Sequence, residues 1–478
     1  MSKLQDVPIG TRSLDRFGEY VEAEALGAAL VIAQRITAAL KGRVVWHVNS
    51  TAAGGGVAEM LHVLLPYARA FGIDARWLVL GGDDDFFVVT KRLHHALHGS
   101  RGDGSSLGED ARKVYERVVA ENAEELGTLV KPGDVVILHD PQTAGLIPYM
   151  ADLGALTFWR CHVGADTKDE QTDLAWNLIG PYLGRSVANI FTRSQYIPDC
   201  CDHGRSVIIP PSVDPFSPKN QPLDDFAVRS ILQTTGIIEG PVGDAAPAFL
   251  RGDGSPGLVA RKSEVERLGR PPVWETPLVA QVSRWDPLKD PVGVIRGFAH
   301  YLKSNESDTE THLVVAGPDV KAIPDDIEQA GVYAATSDAM RELPAGLRER
   351  VHLACLPMED LEENGAIVNA IQQHATVVVQ KSLKEGFGLT VTEAMWKSRP
   401  ILASAVGGIQ DQIEDGVHGL LLKDPKDPAE FATLLADLLQ NKDRAAEMGA
   451  AARKRVSETY LGFHSLLAYA DLIERFSD

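Results

Sequence analysis

The stretch from Glu385 to Glu393, with the sequence EGFGLTVTE, has the residue types and spacing of a site for a sugar and a phosphate. We predict that it leaves a strand-end loop and enters a helix that carries the second glutamate. Gly386 and Gly388 allow the backbone to approach a ligand closely. Amides at a helix start lack intrahelical acceptors, and the helix dipole favours a phosphate there. The amides predicted to bind phosphate are those of Gly388, Leu389 and Thr390.

The two glutamates of this stretch are eight positions apart, which on a helix is about two turns along roughly one face. We expect Glu385 to reach a sugar at the helix mouth and Glu393 to reach a ribose along the helix side. The alternative is a pair of solvated glutamates without a ligand. Cations elsewhere in the same half of the chain would weaken that alternative.

Two such cations, Arg284 and Lys289, lie in the sequence SRWDPLKD, directly after a predicted strand at 277–282. In open parallel sheets the ligand crevice lies at the carboxyl ends of the strands. Arg284 with its planar fork and Lys289 as a point charge could clamp a diphosphate there. Two solvated loop cations are the better interpretation of this loop alone. Combined with the Glu385 stretch, the diphosphate clamp is the better one.

A glycine loop occupies the matching position in the N-terminal half, between Asn49 and Glu59. Its glycines 54 to 56 do not form the dinucleotide fingerprint G-x-G-x-x-G, and no P-loop Gly-Lys-Ser/Thr follows. We predict a turn into a helix N-terminus where Gly55 and Gly56 approach the other side of the diphosphate or the reacting sugar. A tight turn without a ligand explains the loop equally well.

Polar residues follow two further predicted strands. His162 comes after the strand at 157–161. The stretch 139–142, which contains Asp140, ends the strand at 134–139 and offers a polar group to an acceptor hydroxyl. Trp159 and Arg160 could line the site as aromatic and cationic walls, with packing as the alternative. The 14 histidines show no metal-binding spacing, and no G-x-S-x-G nucleophile motif is present. We therefore expect neither a metal nor a cofactor.

The elements that must position these residues form two successive series of short apolar runs alternating with helical patterns. Such runs are typical of buried parallel strands. Two series predict an α/β fold with two Rossmann-like, doubly wound domains facing each other across a cleft. The predicted strands are 43–48, 75–80, 134–139, 156–161, 188–192 and 206–210, then 277–282, 311–316, 351–354, 375–380 and 400–403.

The proline-rich segment 210–215 predicts the crossing between the domains. We assign 1–214 to an N-terminal acceptor domain, on which a C-terminal helix at 458–478 packs back, and 215–457 to a donor domain. Residues 238–274 break the alternation with glycine, proline and charged residues. We predict a surface insertion with one helix there.

The chain of 478 residues has a formal net charge of -19, which argues against nucleic acid or an anionic membrane as the main partner. Four cysteines without paired C-x-x-C spacing argue against a disulfide framework or a zinc cage. No signal segment opens the chain, and the alanine-rich run 24–40 is interrupted by Gln34 and Arg35. We expect a cytoplasmic protein. Its subunit count stays open, with a homodimer as one arrangement.

Taken together, these residues resemble the retaining GT-B glycosyltransferases of family four. Glu385 to Glu393 is similar to the E-x7-E motif of that family, and Arg284 with Lys289 to its donor-phosphate pair. Gly54-Gly55-Gly56 is similar to its N-domain glycine loop. The branch that transfers glucose to make trehalose is the most similar, through VWHVNST at 45–51, HDPQ at 139–142 and WRCH at 159–162.

The resemblance implies a role for each candidate residue. Arg284 and Lys289 would neutralise the leaving diphosphate, and His162 would hydrogen-bond the donor sugar near the reaction centre. The implied donor site consists of Gly55, Gly56, Glu385, Phe387, Gly388, Leu389, Thr390 and Glu393. The implied acceptor site consists of Asn49, Asp140, Trp159 and Arg160.

The implied activity is retaining transfer of glucose from a nucleoside diphosphate glucose to glucose, giving trehalose reversibly and without a metal. A trehalose phosphorylase that uses glucose 1-phosphate is one alternative, and a family-four transferase with another sugar acceptor is a second. A non-catalytic sugar- or nucleotide-binding regulator is a third. The missing fingerprint glycines disfavour a nicotinamide dehydrogenase.

Overall fold

The computed structural model describes residues 3–52, 55–240, 245–321 and 327–477. The chain divides into two compact units, one formed by Met1–Ser212 with Tyr460–Asp478 and the other by Val213–Thr459. The first crossing between the units therefore falls inside the proline-rich segment.

The first unit is built on one sheet. Its strands are β1 (Gln5–Val7), β2 (Val44–Asn49), β3 (Asp74–Val79), β4 (Val135–His139), β5 (Leu156–Cys161), β6 (Ala188–Phe191) and β7 (Ser206–Ile208). Over the described residues the order is β1-β3-β2-β4-β5-β6-β7, with β1 antiparallel to β3 and the other neighbours parallel. Its helices up to the crossing are α1 (Ala23–Ala39), α2 (Gly56–Ala70), α3 (Asp84–Leu97), α4 (Glu109–Leu129), α5 (Asp140–Thr143), α6 (Ile147–Asp152) and α7 (Glu170–Leu183).

Both faces of this sheet are covered, which explains the nearly continuous apolar sequence of its central strands. Alternate residues of a strand point to opposite faces. In β2, Trp46 and Val48 belong to one core cluster and Val45 to the other. A strand that is buried on both sides has no polar face, and a continuous apolar run therefore indicates such a strand.

The second unit contains a sheet of the same type and a small hairpin. Its strands are β8 (Ala248–Leu250), β9 (Pro256–Leu258), β10 (Glu264–Arg267), β11 (Leu278–Val282), β12 (His312–Pro318), β13 (Val351–Leu356), β14 (Val377–Gln380), β15 (Ile401–Ser404) and β16 (Leu420–Leu422). Its helices are α8 (Asp225–Thr234), α9 (Pro291–Ser304), α10 (Ile327–Arg341), α11 (Ala345–Arg348), α12 (Leu361–His374), α13 (Leu389–Trp396), α14 (Ile409–Gln412), α15 (Pro428–Gln440) and α16 (Lys442–Thr459). Short 3-10 turns in the two units lie at Asp15–Glu19, Ala144–Leu146, Ser194–Tyr196, His203–Arg205 and Pro287–Lys289.

The strand order of the second sheet is β10-β13-β12-β11-β14-β15-β16 in the described part of the chain. Its parallel strands, numbered by appearance, therefore run 3-2-1-4-5-6, the doubly wound order. The order reverses between β11 and β14, and in the first sheet between β2 and β4. The predicted α/β fold with two doubly wound sheets is confirmed, and the reversal points locate the crevices where ligands bind in such sheets.

The helix predicted within the insertion at 238–274 is wrong, because the described residues of this segment contain no helix. From residue 245 onward the segment contains the antiparallel hairpin β8–β9 and the edge strand β10, which pairs antiparallel with β13 of the main sheet. β10 is short, and three of its four residues are charged, namely Glu264, Glu266 and Arg267. Edge strands carry charges because one side of their backbone is unpaired, and this composition concealed the strand.

The chain returns to the first unit through α17 (Gly462–Ser477). This helix contacts α1 and α2 and places Tyr469, Leu472 and Ile473 in the core cluster that also holds α2. The hydroxyl of Ser465 donates to the hydroxyl of Ser212 across 2.8 Å. The apolar stripe of the last helix therefore packs into the core of the first unit.

Candidate active site

In the second unit, the loops after β11 and β14 meet where the strand order reverses. The amide of Leu383 donates to the carbonyl of Leu288 across 2.7 Å. The side-chain amide of Gln281, the residue before the end of β11, donates to the carbonyl of Lys289 across 3.0 Å. These bonds fix the two loops, and with them the charged side chains that they carry.

Lys289 and Glu385 form an ion pair between these two loops. Their side chains are 16% and 10% exposed, respectively. The hydroxyl of Ser382 donates to the same glutamate oxygen across 3.2 Å. Two residues that are 96 positions apart are thereby held as one charged group at the mouth of the predicted crevice.

Arg284 has a different partner from Lys289. Its guanidinium donates to Asp286 across 3.1 Å, and its side chain is 61% exposed. Asp286 also accepts from the amide of Leu288 across 2.8 Å. The structure therefore brings Lys289 and Glu385 together and leaves Arg284 on the exposed part of the same loop.

Sequence reasoning missed a second ion pair in these loops, between Lys381 and Asp290. Asp290 lies in the left-handed region with φ 48° and caps α9 by accepting from the amide of Gly293 across 3.0 Å. The Asp-Pro sequence that opens α9 was the available signal, because aspartate is a preferred cap and proline a preferred first residue.

The start of α13 is open to an acceptor. Gly388 lies in the left-handed region with φ 90° and no side chain caps the helix. In the described residues the amides of Gly388, Leu389 and Thr390 have no hydrogen-bond acceptor. Gln412 holds the preceding turn by donating to the carbonyl of Phe387 across 2.6 Å. Because α13 begins at Leu389, Glu385 precedes the helix, and the predicted single helical face for both glutamates is wrong.

Glu393 lies deep in the second unit, with only 2% of its surface exposed. One of its oxygens is 3.1 Å from the ammonium of Lys219, and the other accepts from Gln372 across 3.5 Å. The side chain of Lys219 is 25% exposed, so it is the accessible member of the pair. Lys219 was not predicted, because nothing in its local sequence links it to a residue 174 positions later.

Lys397, one helical turn after Glu393, is a further buried charge that sequence reasoning missed. Burial lowers its pKa to about 7, partly opposed by the charge of Glu393. Its ammonium donates to the side chains of Asn220 and Gln372 across 3.1 and 2.8 Å and to the Glu393 carbonyl across 3.2 Å. These three bonds hold α13 to α12 and to the turn that carries Lys219.

In the first unit, the described glycines of the glycine loop are exposed, whereas Asn49 is buried. Gly55, with φ 105°, precedes α2, and both Gly55 and Gly56 are exposed. Gly54 lies outside the described residues. Asn49 is buried, donates to the carbonyl of Thr51 across 2.7 Å and accepts from the Trp77 indole across 2.8 Å. Its side chain anchors β2 in place of the predicted acceptor contact.

Trp159 and Arg160 of β5 are core residues, each 0% exposed. The Trp159 indole donates to the carbonyl of Asp140 across 3.0 Å. Arg160 donates to the carbonyl of Ile209 across 2.8 Å, and its guanidinium lies over the ring of Tyr469. The predicted walls that contact an acceptor are therefore wrong, because both side chains point into the unit and support its loops.

Asp140 stands at the end of β4 with a left-handed φ of 64°. One oxygen of its carboxylate accepts from the amide of His162 across 2.8 Å. Burial raises the pKa of Asp140 to about 6. The strained backbone aims a carboxylate at the strand ends near the point where the strand order of the first sheet reverses.

Three histidines from neighbouring strands form a chain beside this aspartate. His47 Nδ1 lies 3.1 Å from His139 Nε2, and His139 Nδ1 lies 3.2 Å from His162 Nε2. The rings stack at interplanar angles of 23° and 15°. Burial lowers the pKa of His47 to about 3 and the pKa of both His139 and His162 well below the usual value. All three imidazoles are therefore neutral at physiological pH.

In the described part of the chain, no group of three or more His, Cys, Asp or Glu side chains has an arrangement that could hold a metal ion. Among the same residues, no helix combines the length and apolar character needed to cross a membrane. The cysteines at 161, 200, 201 and 355 are free thiols.

Comparison with known proteins assigns the chain to a class. Residues 47–198 match the family described as the N-terminal domain of trehalose synthase, and residues 274–455 match glycosyl transferases group 1. An alpha,alpha-trehalose-phosphate synthase (UDP-forming) from Burkholderia xenovorans, solved in complex with glucose-6-phosphate, is 16% identical with a TM-score of 0.64. The alignment covers 91% of this chain and all of that one. The protein is a glycosyltransferase with the GT-B fold.

A relative of greater sequence identity narrows the class. A trehalose synthase from Thermococcus litoralis is 34% identical over 97% of this chain and 97% of its own length. The chain belongs to the trehalose synthase family. A trehalose phosphorylase from Grifola frondosa is more distant, 27% identical over 86% of this chain and 54% of that protein.

Proposed function

We propose that the protein is a retaining glucosyltransferase that moves glucose from a nucleoside diphosphate glucose to glucose, giving trehalose, and that also catalyses the reverse reaction. The observation that carries the proposal is the junction of the β11 and β14 loops. There Lys289 and Glu385 form one group within the unit that also presents the open amides of α13. The cation and the amides can bind a diphosphate, and the carboxylate can accept from sugar hydroxyls, so this combination matches a nucleotide sugar.

The second unit supplies the donor site in this proposal. Lys289 and Arg284 neutralise the charge that develops on the leaving diphosphate, and the amides of Leu389 and Thr390 bind its phosphate oxygens. Glu385 accepts hydrogen bonds from hydroxyls of the donor glucose, whose position the amides of Phe387, Gly388 and Leu389 also fix. When the diphosphate binds, the ammonium of Lys289 moves partly away from Glu385.

The transfer step breaks the bond between C1 of the donor glucose and the diphosphate oxygen, which departs with the electron pair. A hydroxyl oxygen of the acceptor bonds to C1 on the same face, and its proton passes to the departing phosphate oxygen. This route retains the configuration and needs no carboxylate nucleophile, so Glu385 is a binding residue here.

The ribose is assigned to Glu393 together with Lys219. Glu393 is too deeply buried to meet a ribose alone, while Lys219 is accessible and in contact with it. Ribose hydroxyls can donate to the carboxylate and accept from the ammonium, so the pair matches a diol better than either charge does.

The first unit supplies the acceptor site and a contact to the transferred sugar. Asp140 uses one carboxylate oxygen for the His162 amide and presents the other to an acceptor hydroxyl. At neutral pH its carboxylate is ionised, because its raised pKa of about 6 still lies below 7. His162 is half-buried and its ring can hydrogen-bond the donor glucose.

The proposal is tested by incubating the protein with glucose and, in turn, UDP-glucose, ADP-glucose and GDP-glucose, and by assaying for a non-reducing disaccharide. We expect trehalose with at least one donor. A second arm replaces the nucleotide sugar by glucose 1-phosphate, and a third replaces glucose by glucose 6-phosphate. Trehalose formation only in the second arm would replace the proposal by a phosphorylase, and product only in the third would change the acceptor.

A further inference from the structure

We propose that Lys397 is a positioning residue for nucleotide binding, because its ammonium fixes the orientation of both members of the ribose pair, Lys219 and Glu393. This role rests on the function proposed above, in which that pair binds the ribose. Lys397 is only 7% exposed, so it acts on the ribose through its neighbours and not by contact.

The ammonium of Lys397 has three hydrogen-bond acceptors inside the second unit. Its Nζ donates to Asn220 Oδ1 across 3.1 Å and to Gln372 Oε1 across 2.8 Å. The third bond, of 3.2 Å, goes to the backbone carbonyl of Glu393. Three acceptors match the three N–H groups of an ammonium. An apolar side chain of similar size would fill this space without the cost of burying a charge, so packing alone does not explain a lysine at this position.

The bond to Gln372 orients the carboxylate of Glu393. An ammonium can only donate, so the side-chain oxygen of Gln372 faces Lys397 and its amino group faces the other way. That amino group donates to Glu393 Oε2 across 3.5 Å, and an ionised carboxylate can only accept. Both neighbours of Gln372 therefore require the same orientation of its amide. Without the ammonium, the amide is free to turn its oxygen towards the carboxylate and to displace it.

The bond to Asn220 holds the turn that carries Lys219. Asn220 directly follows Lys219 in the chain, and its side-chain oxygen accepts from Lys397. Its backbone carbonyl accepts from the indole of Trp396 across 3.0 Å. The turn is thereby fixed against α13 from two sides. From this position Lys219 Nζ lies 3.1 Å from Glu393 Oε1.

One buried ammonium therefore controls both charges of the ribose pair. Through Gln372 it fixes an oxygen of the carboxylate, and through Asn220 it fixes the backbone from which Lys219 extends. Two neighbouring ribose hydroxyls bind the pair well only when the carboxylate and the accessible ammonium keep a fixed spacing. Loss of the Lys397 charge should therefore weaken recognition of the ribose hydroxyls more than binding of the diphosphate.

The experiment compares ribonucleotides with their 2′-deoxy forms by isothermal titration calorimetry. UDP, ADP and GDP are each measured against the corresponding deoxynucleotide, and the pair with the tightest ribonucleotide is used for all variants. The ratio of the two Kd values reports the 2′-hydroxyl alone, because both nucleotides carry the same base and diphosphate. In the unaltered protein we expect the deoxynucleotide to bind about tenfold more weakly, as for a lost hydrogen bond to a charged group.

Lys397→Met removes the ammonium and keeps a side chain of similar size. We expect the Kd ratio to fall by about threefold or more, mainly because the ribonucleotide binds more weakly. If this variant does not fold, Gln372→Met is measured instead, since it breaks the link to Glu393 and leaves Lys397 in place. The same fall is expected there. An unchanged ratio in the variant that folds overturns the proposal.

The second unit offers a matched control in Lys381, which is also buried, at 3% exposed, and is paired with Asp290. Lys381→Met removes the same kind of buried charge outside the ribose pair. It can lower the affinity for both nucleotides but should leave the ratio of their Kd values unchanged. Equal falls of the ratio in Lys381→Met and Lys397→Met would mean a general effect of losing a buried lysine, and would overturn the positioning role.

Failure of the ribose assignment gives a different result from failure of the positioning role. A Kd ratio near one in the unaltered protein, or a ratio that Glu393→Gln leaves unchanged, would remove the ribose from the pair and overturn both. A ratio that falls in Glu393→Gln and stays unchanged in Lys397→Met would keep the ribose pair and overturn only the role of Lys397. Neither result depends on whether the protein makes trehalose.

Discussion

The two units present opposite kinds of polar group at the ends of similar sheets. In the second unit the cations of the proposed donor site face carboxylates, as in Lys289 with Glu385 and Lys219 with Glu393. In the first unit the polar side chains at the strand ends are mainly neutral rings in a fixed line. Paired charges can exchange partners when a charged ligand arrives, whereas neutral rings offer hydrogen bonds without a net charge. In the proposed function the second unit binds the charged diphosphate and the first unit contacts the sugar.

The strongest way to break this comparison is to remove a cation from the second unit. We expect Lys289→Ala to lower kcat by about 10²- to 10³-fold, because a positive charge that stabilises the leaving diphosphate is lost. Arg284→Ala is expected to lower it as well, despite its exposure. Steady-state kinetics with a nucleotide sugar measure both effects.

Lys303→Ala, an exposed lysine of α9, serves as the control and should retain full activity. Thermal unfolding of all three variants checks that the fold is kept. A kcat for Lys289→Ala equal to that of the control would remove the charge-holding role from the second unit.

The second test lowers the pH and concerns the neutral histidine rings of the first unit. The pKa of His47 is about 3 when folded, against 6.5 as its ordinary value, so the unfolded chain binds more protons between these limits. The free energy of unfolding therefore decreases as the pH falls below 6.5. One such histidine lowers it by roughly 2 kcal/mol between pH 7 and pH 5.

Asp140 partly opposes this trend, since its raised pKa makes the folded state bind more protons between pH 3.8 and about 6. Urea unfolding at pH 7 and pH 5 should show a smaller loss of stability for His47→Asn than for the unaltered protein. His203→Asn, at an exposed position, is the control with an unchanged loss. Equal losses in all three proteins would mean that the ring of His47 is not held neutral.

A third test sharpens the comparison within the second unit by separating the ribose pair from the diphosphate clamp. Glu393→Gln is expected to weaken binding of the nucleoside diphosphate by roughly tenfold, because the amide is a poorer acceptor than a carboxylate. Lys219→Met should weaken it similarly. Isothermal titration calorimetry with the nucleoside diphosphate measures both, with Glu447→Gln on the exposed face of α16 as the control. Nucleotide affinity that stays unchanged in Glu393→Gln would leave that residue a purely structural role.

The smallest effect concerns how tightly the first unit packs next to His162. A Cβ added at Gly164 would lie 2.1 Å from the ring of Tyr196, so Gly164→Ala should lower the free energy of unfolding by about 1–3 kcal/mol. Gly27→Ala in α1 has open space around it and should raise that energy by about 0.5–1 kcal/mol. Calorimetric unfolding distinguishes the two, and a stabilised Gly164→Ala would contradict the tight packing.

The sequence revealed the second site better than the first, for a physical reason. Glu385, Gly388 and Glu393 lie within nine residues, so the loop and helix start could be predicted from local pattern. The histidine chain is made by residues of β2 and β4 and by the residue that follows β5, which become neighbours only through the order of the strands. No local pattern carries that order, and His47 and His139 were accordingly not assigned a role.

Burial was the other quantity that sequence patterns could not supply. Asn49, Trp159 and Arg160 have the residue types of a sugar site, and the structure uses all three inside the unit. Lys219 was missed because its partner Glu393 is distant in the sequence. The strand positions themselves were predicted well, apart from the edge strands β1, β10 and β16 and the hairpin strands β8 and β9. Each of these has only three or four residues, which carry too little pattern.

The return of α17 to the first unit has a consequence during synthesis. The ribosome makes β1 to β7 first, but the helix that covers α1 and α2 emerges only after the whole second unit has been translated. Until then the nascent first unit exposes the apolar surface that Tyr469, Leu472 and Ile473 later cover. The second unit is therefore free to fold first, and the nascent first unit is the part of the chain that a chaperone would bind.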